Sequence, residues 1–241
     1  MIDYRQSNIL ADRYFSVMRG DLGNLFLLLV QVPVISALIC LIWAGTRADT
    51  RLHMALCLSA IWLGLFNSCR EVVKERAIYE RERRLFLQAA AYILSKVYIL
   101  TLLSVVQTIL LLWSVDYYVG LTGSKLLLWF SLLLGALGGS CLGLVISCLV
   151  SSADKAVSLA PVLMLPQVFF CKGFMPSDNP EGLTALMENL MLIEWVGRCF
   201  EHFLRFGRDM DYCNCLLDLS ILLLYIFLLF ALAILILELE E

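Results

Sequence analysis

The densest group of ionisable side chains in this sequence lies in one short stretch, REVVKERAIYERERRLF, at residues 70–86. Ten of its seventeen residues are Lys, Arg or Glu, and we call it the charged segment. Carboxylates and guanidinium groups at such density can form ion pairs, bind a charged partner or remain solvated on a surface. Apolar runs flank the segment on both sides, so its charged side chains are expected at the edge of a strongly apolar structure.

The charged segment contains neither Gly nor Pro, and its spacing predicts an amphipathic helix. Oppositely charged residues recur three or four positions apart, as neighbours on a helix surface do; these pairs are Glu71–Lys74, Arg76–Glu80 and Glu80–Arg84. An apolar stripe repeats every seven residues, at Val72, Tyr79 and Phe86. Two interpretations follow: a surface helix with ion pairs worth about 0.2–0.5 kcal/mol each, or a docking surface for a soluble partner.

No catalytic constellation is visible elsewhere. The stretch GALGGSCLGLVISCLVS, residues 135–151, places small residues at every fourth position: Gly135, Gly139, Gly143, Ser147 and Ser151. Such a stripe favours close approach of a neighbouring helix, with a flexible hinge as the alternative. An intramembrane serine nucleophile would need a base, but the two histidines, His53 and His202, do not lie in the middle of an apolar run.

The nine cysteines predict no metal site. Four lie in apolar runs, where cysteine behaves as a small hydrophobic residue; these are Cys40, Cys57, Cys141 and Cys148. Four others fall on the side of the membrane that is predicted to face outward, where disulfides and free thiols both remain open; these are Cys171, Cys199, Cys213 and Cys215. The spacing Cys-Asn-Cys is not a zinc-binding pattern, so we predict that the chain has no metal site.

The composition indicates an all-α membrane protein. Hydrophobic residues make up 61% of the chain and charged residues 16%, far from the balance of a soluble domain. Six apolar runs predict six transmembrane helices, at about 22–44, 52–69, 93–115, 126–150, 156–171 and 219–237. The fifth is short and contains Pro161 and Pro166, so a bent or broken span is expected. The net charge of −3 gives no reason to expect nucleic-acid binding.

Two amphipathic stretches complete the chain. Residues 4–20 predict a helix at the membrane surface before the first span, with a solvated helix as the alternative. We assign residues 1–21 to this connecting helix and residues 22–241 to the membrane domain. The sequence EGLTALMENLMLIEWVGRCFEHFLRF, residues 181–206, is amphipathic but too charged to span. It predicts one or two short helices at the outer face, between spans five and six.

The distribution of positive charge predicts the orientation. Eleven Lys and Arg residues fall on the side that carries the charged segment and seven on the other side. Because short loops rich in Lys and Arg stay in the cytoplasm, the charged segment and both termini are expected to be cytoplasmic. The protein is thus predicted to be a multi-pass integral membrane protein, in the inner (plasma) membrane if bacterial.

The charged segment together with AAAYILSKV, residues 89–97, resembles the link between the second and third spans of G-subfamily ABC exporters. These are half-transporters that include white-pigment, sterol and multidrug exporters. The positions on the pattern are Arg70, Glu71, Glu75, Arg76, Tyr79, Arg81, Glu82, Tyr92, Ser95 and Lys96. The sequence ILADRYFSVMRGDLGNLFLLLVQVPV is similar to the family's connecting helix and first span, and SSADKAVSLAPVLMLPQVFFCKGFMP to its fifth span and the following turn.

The resemblance implies a six-span permease domain that works as a homo- or heterodimer around a shared cavity. A helix after the second span would couple it to an ATPase, through Arg70, Glu71, Glu75, Arg76, Tyr79, Arg81 and Glu82. Leu165, Pro166 and Phe169 would line the substrate cavity, and Pro166 is unusual there. Gly173, Phe174 and Met175 would form the outer gate, where the family often has Leu-Leu after the glycine.

One feature departs from this family: no phosphate-binding loop of the form GxxxxGK[S/T] occurs in the chain. ATP and Mg²⁺ would therefore be bound by a partner ATP-binding subunit or domain, and the first and last residues favour a separate subunit. The expected function is export of an apolar or amphipathic substrate, such as a lipid or drug-like compound, although physics alone does not exclude import. The alternative is a non-transporting scaffold or assembly factor whose charged segment binds another cytoplasmic protein.

Overall fold

The computed structural model describes residues 4–46, 48–172, 174, 182–205 and 211–239. Regular secondary structure in those residues is helical. The α-helices are α1 (Tyr4–Gly20), α2 (Leu22–Ile42), α3 (Thr50–Ser68), α4 (Arg76–Arg83), α5 (Ala89–Val119), α6 (Lys125–Leu149), α7 (Ala153–Phe169), α8 (Leu183–Leu190), α9 (Leu192–Leu204) and α10 (Tyr212–Leu239). A 3₁₀ turn, Val73–Glu75, precedes α4.

Five of these segments are long and apolar enough to cross a membrane. They are α2, α5, α6, α10 and the run Thr50–Arg83, which begins with α3. The predicted first, second, third, fourth and sixth spans therefore have counterparts. The predicted fifth span corresponds to α7, which has 17 residues and so a length of about 26 Å, slightly less than a typical hydrocarbon core of about 30 Å.

The α7 helix is continuous through Pro161 and Pro166, so, of the bent or broken span that these prolines predict, the broken form does not occur. Each proline lacks the N–H that would bond to the carbonyl four residues earlier. Tertiary contacts nevertheless hold the helix, because Ala156, Ala160 and Met164 are buried in the main apolar core. The opposite face of α7 remains exposed in the single chain.

The bundle is held most closely where α3 meets α6. A Cβ on Gly139 would lie 2.2 Å from the backbone oxygen of Ile61, and one on Gly64 would lie 1.9 Å from that of Ala136. No side chain fits at such distances, so the two backbones touch. The small-residue stripe predicted in residues 135–151 therefore serves close helix contact, and its hinge alternative has no support in these contacts.

A buried amide pair joins three helices close to the charged segment. The Asn67 side-chain amide donates to Gln107 Oε1 over 2.6 Å, and the Gln107 amide donates to the backbone oxygen of Leu28 over 2.9 Å. These residues belong to α3, α5 and α2. Buried amides in an apolar bundle need such partners, so the pair fixes the rotation of these helices relative to one another.

The two ends of the bundle differ in chemistry. One end, which we call the charged end, carries the charged segment, where α6 finishes and α7 begins. The opposite end, which we call the far end, carries α8 and α9. At the charged end, α1 occupies the stretch where the sequence pattern predicts an amphipathic helix, and it packs on α5 through Ala11 and Tyr14 against Ile99.

Candidate functional site

The charged segment is not the single continuous helix that its composition predicts. A turn follows α3, the 3₁₀ turn Val73–Glu75 comes next, and α4 begins only at Arg76. The backbone N–H groups of Val72 and Val73 both donate to Ser147 Oγ on α6, over 2.9 and 3.0 Å. The hydroxyl of Ser147 therefore satisfies two donors, and the chain is tied to α6 at the point where the helix is interrupted.

The predicted charge pairs and apolar stripe are partly present. Glu71 and Lys74 lie 3.6 Å apart, and Arg76 and Glu80 3.7 Å. Val72 and Tyr79 are buried as the stripe requires. Phe86 is instead 90% exposed, because α4 ends at Arg83 and Phe86 itself adopts a left-handed backbone with φ of 67°. The stripe is therefore shorter than predicted.

The centre of the site is an ion pair between Glu75 and Lys96 of α5. Lys96 Nζ lies 2.7 Å from Glu75 Oε2, and its side chain is only 1% exposed. Two tyrosine rings complete its surroundings: Nζ lies 3.7 Å from the ring centroid of Tyr14 and 5.5 Å from that of Tyr92. The Tyr92 hydroxyl also donates to Glu75 Oε2 over 3.3 Å. Cation–π contacts and one carboxylate together stabilise this buried ammonium group.

Two further carboxylates bind the segment to α1. The Tyr14 hydroxyl donates to Glu71 Oε2 over 2.6 Å. Burial, and after it the neighbouring Glu71, raises the pKa of the Tyr14 phenol, so the hydroxyl keeps the proton that it donates. Glu82 forms an ion pair with Arg13, which lies on α1 next to Tyr14. The predicted amphipathic helix is thus attached to the charged segment at two points.

The arginines of the segment reach three other helices. Arg70 donates to Asn24 Oδ1 of α2 over 3.1 Å, and Arg76 donates to the backbone oxygen of Val150 after α6 over 2.8 Å. Arg83 donates to the Tyr79 hydroxyl over 2.9 Å and also to the backbone oxygen of Leu237 in α10. Six of the seven residues predicted to face a partner therefore hold the segment to its own bundle or lie buried, while Arg81 is exposed.

Sequence reasoning missed several members of this site. The sequence pattern assigns Ser147 only to a helix-packing stripe, and it gives Tyr14, Arg13 and Asn24 no role at this site. The distance along the chain explains this, because Arg13 and Glu82 are 69 residues apart. Lys96 is named in the sequence analysis as part of the Tyr-x-x-Ser-Lys pattern that follows the segment, but without a role in an ion pair.

The predicted cavity residues lie on the exposed face of α7. Leu165 is 53% exposed and Phe169 61%, while Pro166 is half-buried. Phe174, from the predicted gate, is 67% exposed; Gly173 and Met175 lie outside the described residues. An apolar cavity of about 520 Å³ adjoins Phe174 and is lined mainly by α2 and α3, with Trp43, Met54 and Leu58 among its walls. Structure thus brings Phe174, but not Leu165 or Phe169, to this cavity.

A second ion cluster lies at the far end. Glu194 of α9 is fully buried, and its Oε1 lies 3.0 Å from Lys172 Nζ and 2.6 Å from Arg198 Nε. Glu188 of α8 is also buried, and burial, followed by the charge of Glu194, raises its pKa. No group of three or more His, Cys, Asp or Glu side chains suited to a metal ion occurs in the described ranges.

Comparison with known proteins gives two matches. Residues 5–200 match the family described as ABC-2 type transporter. The chain is also 24% identical, over 196 residues, to the ABC transporter ATP-binding/permease protein Rv1747 of Mycobacterium tuberculosis, an alignment that covers 72% of this chain and 22% of that protein. This chain therefore spans about a fifth of the length of the curated relative that it matches.

Proposed function

This chain belongs to the ABC-2 type transporter family and is a membrane component of an ABC transporter; from that premise we propose that it is the permease of an exporter. It would move an apolar or amphipathic substrate outward, driven by ATP hydrolysis on a separate ATP-binding subunit or on another domain. G-subfamily-like half-transporters are the relatives that the charged segment resembles. The printed name of the mycobacterial relative combines ATP-binding and permease parts, which supports a partner of this kind.

The observation that carries the proposal is the two-sided arrangement of the charged segment. Its inner side chains contact α1, α2, α5, α6 and α10, as described above. Its outer edge exposes Ile78, Leu85 and Phe86 beside the exposed arginines Arg81 and Arg84. Exposed apolar residues rimmed by charge are typical of a docking surface. The outer edge would bind the ATPase, and the inner contacts would pass its movement into the spans.

The proposed roles of the predicted coupling residues differ accordingly. Arg81 would contact the ATPase directly. Glu71, Glu75 and Glu82 would not touch the ATPase. They would hold the segment to the rest of the bundle through Tyr14, Lys96 and Arg13. A rigid, ion-paired segment of this kind can move as one body, which is what transmission of a movement between two domains requires.

The proposed topology places the charged end in the cytoplasm and the far end outside, with α7 as the fifth of six spans along the chain. Both termini would then be cytoplasmic, and the membrane would be the inner membrane if the source is bacterial. The excess of Lys and Arg on the side of the charged segment supports this orientation. With α7 included, the number of spans is even, as both termini on one side require.

A dimer would complete the transport path. The exposed apolar face of α7, with Leu165 and Phe169, would meet a second permease copy and enclose the substrate cavity, with Pro166 beside them. Gly173, Phe174 and Met175 are the proposed outer gate of that cavity. An apolar lining of this kind would suit a lipid or another amphipathic compound.

Photo-crosslinking in native membranes tests the docking surface. A p-benzoylphenylalanine residue at Phe86 should capture an ATP-binding protein or domain. The same group at Leu126, which is exposed at the far end, provides the matched control and should capture none. Failure at Phe86, or equal capture from Leu126, would refute the docking surface.

A second experiment tests coupling. Vesicles that contain the purified complex should move a fluorescent phospholipid in an ATP-dependent way, and Glu75→Lys or Glu82→Lys should abolish this movement while ATP hydrolysis persists. The control is Glu80→Lys, because Glu80 is exposed and its ion pair is with Arg76 of the same helix, α4. If both Glu75→Lys and Glu82→Lys transported normally, the coupling role would be wrong; if no ATPase accompanied the chain at all, the scaffold alternative would replace the transport function.

A further inference from the structure

A polar cavity of about 330 Å³, which we call the far-end cavity, lies between the end of α7, the second half of α9 and the first two turns of α10. Its volume is within the range of about 300–1,000 Å³ that is usual for ligand sites. Its walls are polar, and most of the side chains can carry a charge; they are Lys172, Arg198, Glu201, His202, Arg205, Asn214 and Asp218. Such walls suit a charged group rather than an apolar one.

Most of these charges already have a partner within the protein. Lys172 and Arg198 share the buried carboxylate of Glu194, over 3.0 and 2.6 Å. His202 Nε2 lies 3.0 Å from Asp218 Oδ2, so α9 and α10 are joined across the cavity wall. These contacts hold three helix ends in place around the cavity, which is therefore formed before any ligand arrives.

Glu201 and Arg205 differ from the other charged residues of the cavity. They lie four positions apart, a spacing at which opposite charges on a helix often pair. In the part of the chain that the structure describes, however, neither side chain takes part in an ion pair. An unpaired carboxylate and an unpaired guanidinium group thus border the same space. A ligand with both a cationic and an anionic group would pair with both of them, whereas a simple anion would lie beside the carboxylates of Glu201 and Asp218.

The position of the cavity along α10 indicates that this ligand is a lipid. Asp218 lies in the second turn of α10, and residues 219–237 contain no charged side chain. The cavity therefore lies where the apolar span meets the polar medium, which is the level of phospholipid headgroups. From that point Leu217, Ile221 and Leu224 form an exposed row along one face of α10. Acyl chains can pack against such a row.

We propose that the far-end cavity binds the headgroup of a zwitterionic phospholipid of the phosphatidylethanolamine type. Its phosphate pairs with Arg205, and its ammonium group pairs with Glu201. The ammonium N–H groups can also donate to the second carboxylate, Asp218, which a quaternary ammonium group cannot do. This cavity and the apolar cavity beside Phe174 share no described lining residue, so the lipid site goes beyond the proposed transport path.

Native mass spectrometry of the purified, delipidated protein in detergent micelles tests the site. The protein is titrated with dioleoylphosphatidylethanolamine or with dioleoylphosphatidylglycerol, whose headgroup has the phosphate but no ammonium group. The unaltered protein should bind the first lipid about fivefold more tightly or better. Glu201→Gln should weaken binding of phosphatidylethanolamine by about tenfold without weakening that of phosphatidylglycerol, and Arg205→Gln should weaken both by about tenfold.

Arg51→Gln is the matched control for Arg205→Gln. Arg51 is an exposed arginine at the far end, at the start of α3, and does not line the far-end cavity. Its replacement should change either affinity by less than about twofold. Equal effects of Arg51→Gln and Arg205→Gln would mean that surface charge alone attracts the lipid, and would refute the site. Equal binding of the two lipids by the unaltered protein would refute it as well.

Charge reversal gives a result that misfolding cannot imitate. Glu201→Lys places a second unpaired cation beside Arg205, so this variant should bind phosphatidylglycerol more tightly than phosphatidylethanolamine. An unchanged preference for phosphatidylethanolamine in Glu201→Lys would contradict the assigned role of Glu201.

A water-soluble competitor separates a lipid from a soluble ligand of the same chemistry. Glycerophosphoethanolamine carries the same two charged groups without acyl chains, and at equal concentration it should not displace bound phosphatidylethanolamine. Full displacement would show that the cavity recognises a soluble zwitterion and would overturn the lipid assignment. Because these measurements need neither ATP nor a transported substrate, their outcome is independent of the proposed transport function.

Discussion

In the described residues, each end of the bundle has an ion cluster built on a fully buried charged side chain, and the two clusters are stabilised in opposite ways. At the charged end the buried ion is the cation Lys96, with one carboxylate, Glu75, and two tyrosine rings around it. At the far end it is the anion Glu194, shared by Lys172 and Arg198. One site has a single counterion and the other has two. The first ion therefore depends on one carboxylate, whereas the second keeps a counterion if either cation is lost.

The largest effect is expected from removal of the single counterion. Glu75→Ala leaves Lys96 buried without a carboxylate and should lower the free energy of unfolding by about 3–5 kcal/mol. Equilibrium unfolding in mixed detergent micelles measures this difference. Glu80→Ala, on the exposed side of α4, is the control and should cost less than about 0.5 kcal/mol. A similar small cost for Glu75→Ala would show that the tyrosine rings alone suffice.

Redundancy at the far end predicts a non-additive result of intermediate size. Lys172→Met or Arg198→Met alone should cost about 1 kcal/mol, because one cation remains beside Glu194. The double variant should cost about 3 kcal/mol or more, since it leaves the buried carboxylate without a counterion. A double-mutant cycle on the free energy of unfolding decides the matter. Simple additivity would contradict the shared-carboxylate arrangement.

A smaller effect should follow at the point where α1 joins the charged segment. Tyr14→Phe removes the hydrogen bond to Glu71 and keeps the ring that covers Lys96, so the expected loss is about 1–2 kcal/mol. Tyr118→Phe, at an exposed position on α5, should be neutral in the same unfolding experiment. If Tyr14→Phe were neutral as well, the hydroxyl would contribute nothing, and the cation–π contact would be the principal link to α1.

The smallest effect concerns pH at the far end. Burial raises the pKa of Glu188, so folding favours its protonated form. Its contribution to stability is therefore complete at low pH and is lost as the pH rises through the folded-state pKa. Glu188→Gln should raise the Tm by about 1–2 °C at pH 7.5, with a smaller gain at pH 5. A larger gain at pH 5 would reverse the assigned direction of the shift.

The difference between the two ends also decides how far each could be predicted. Ten charges in residues 70–86 mark the charged end in any inspection of the sequence, and the pairs Glu71–Lys74 and Arg76–Glu80 follow from helix spacing. At the far end Lys172, Glu194 and Arg198 are scattered among apolar residues and lie in different elements. No local pattern links them, so the second cluster was found only in the structure.

Predictions failed where tertiary contacts override a local preference. A continuous helix over the charged segment is favoured by composition, but Ser147 of α6 takes up the N–H groups of Val72 and Val73 and interrupts it. Two prolines predict a bent or broken α7, but the helix is unbroken, with Ala156, Ala160 and Met164 packed in the core. In both cases a neighbour distant in sequence decides what local propensity leaves undetermined.

The sequence by itself determined the membrane class, the amphipathic α1 and the approximate bounds of the apolar helices, because hydropathy and helical periodicity act over a few adjacent residues. It also placed the charged segment between two spans. Tertiary structure alone decided which charges meet. The ion pairs Lys96–Glu75, Arg13–Glu82 and Lys172–Glu194 form only when the helices pack. The two members of each pair lie in different elements, so the local sequence around either one does not identify its partner.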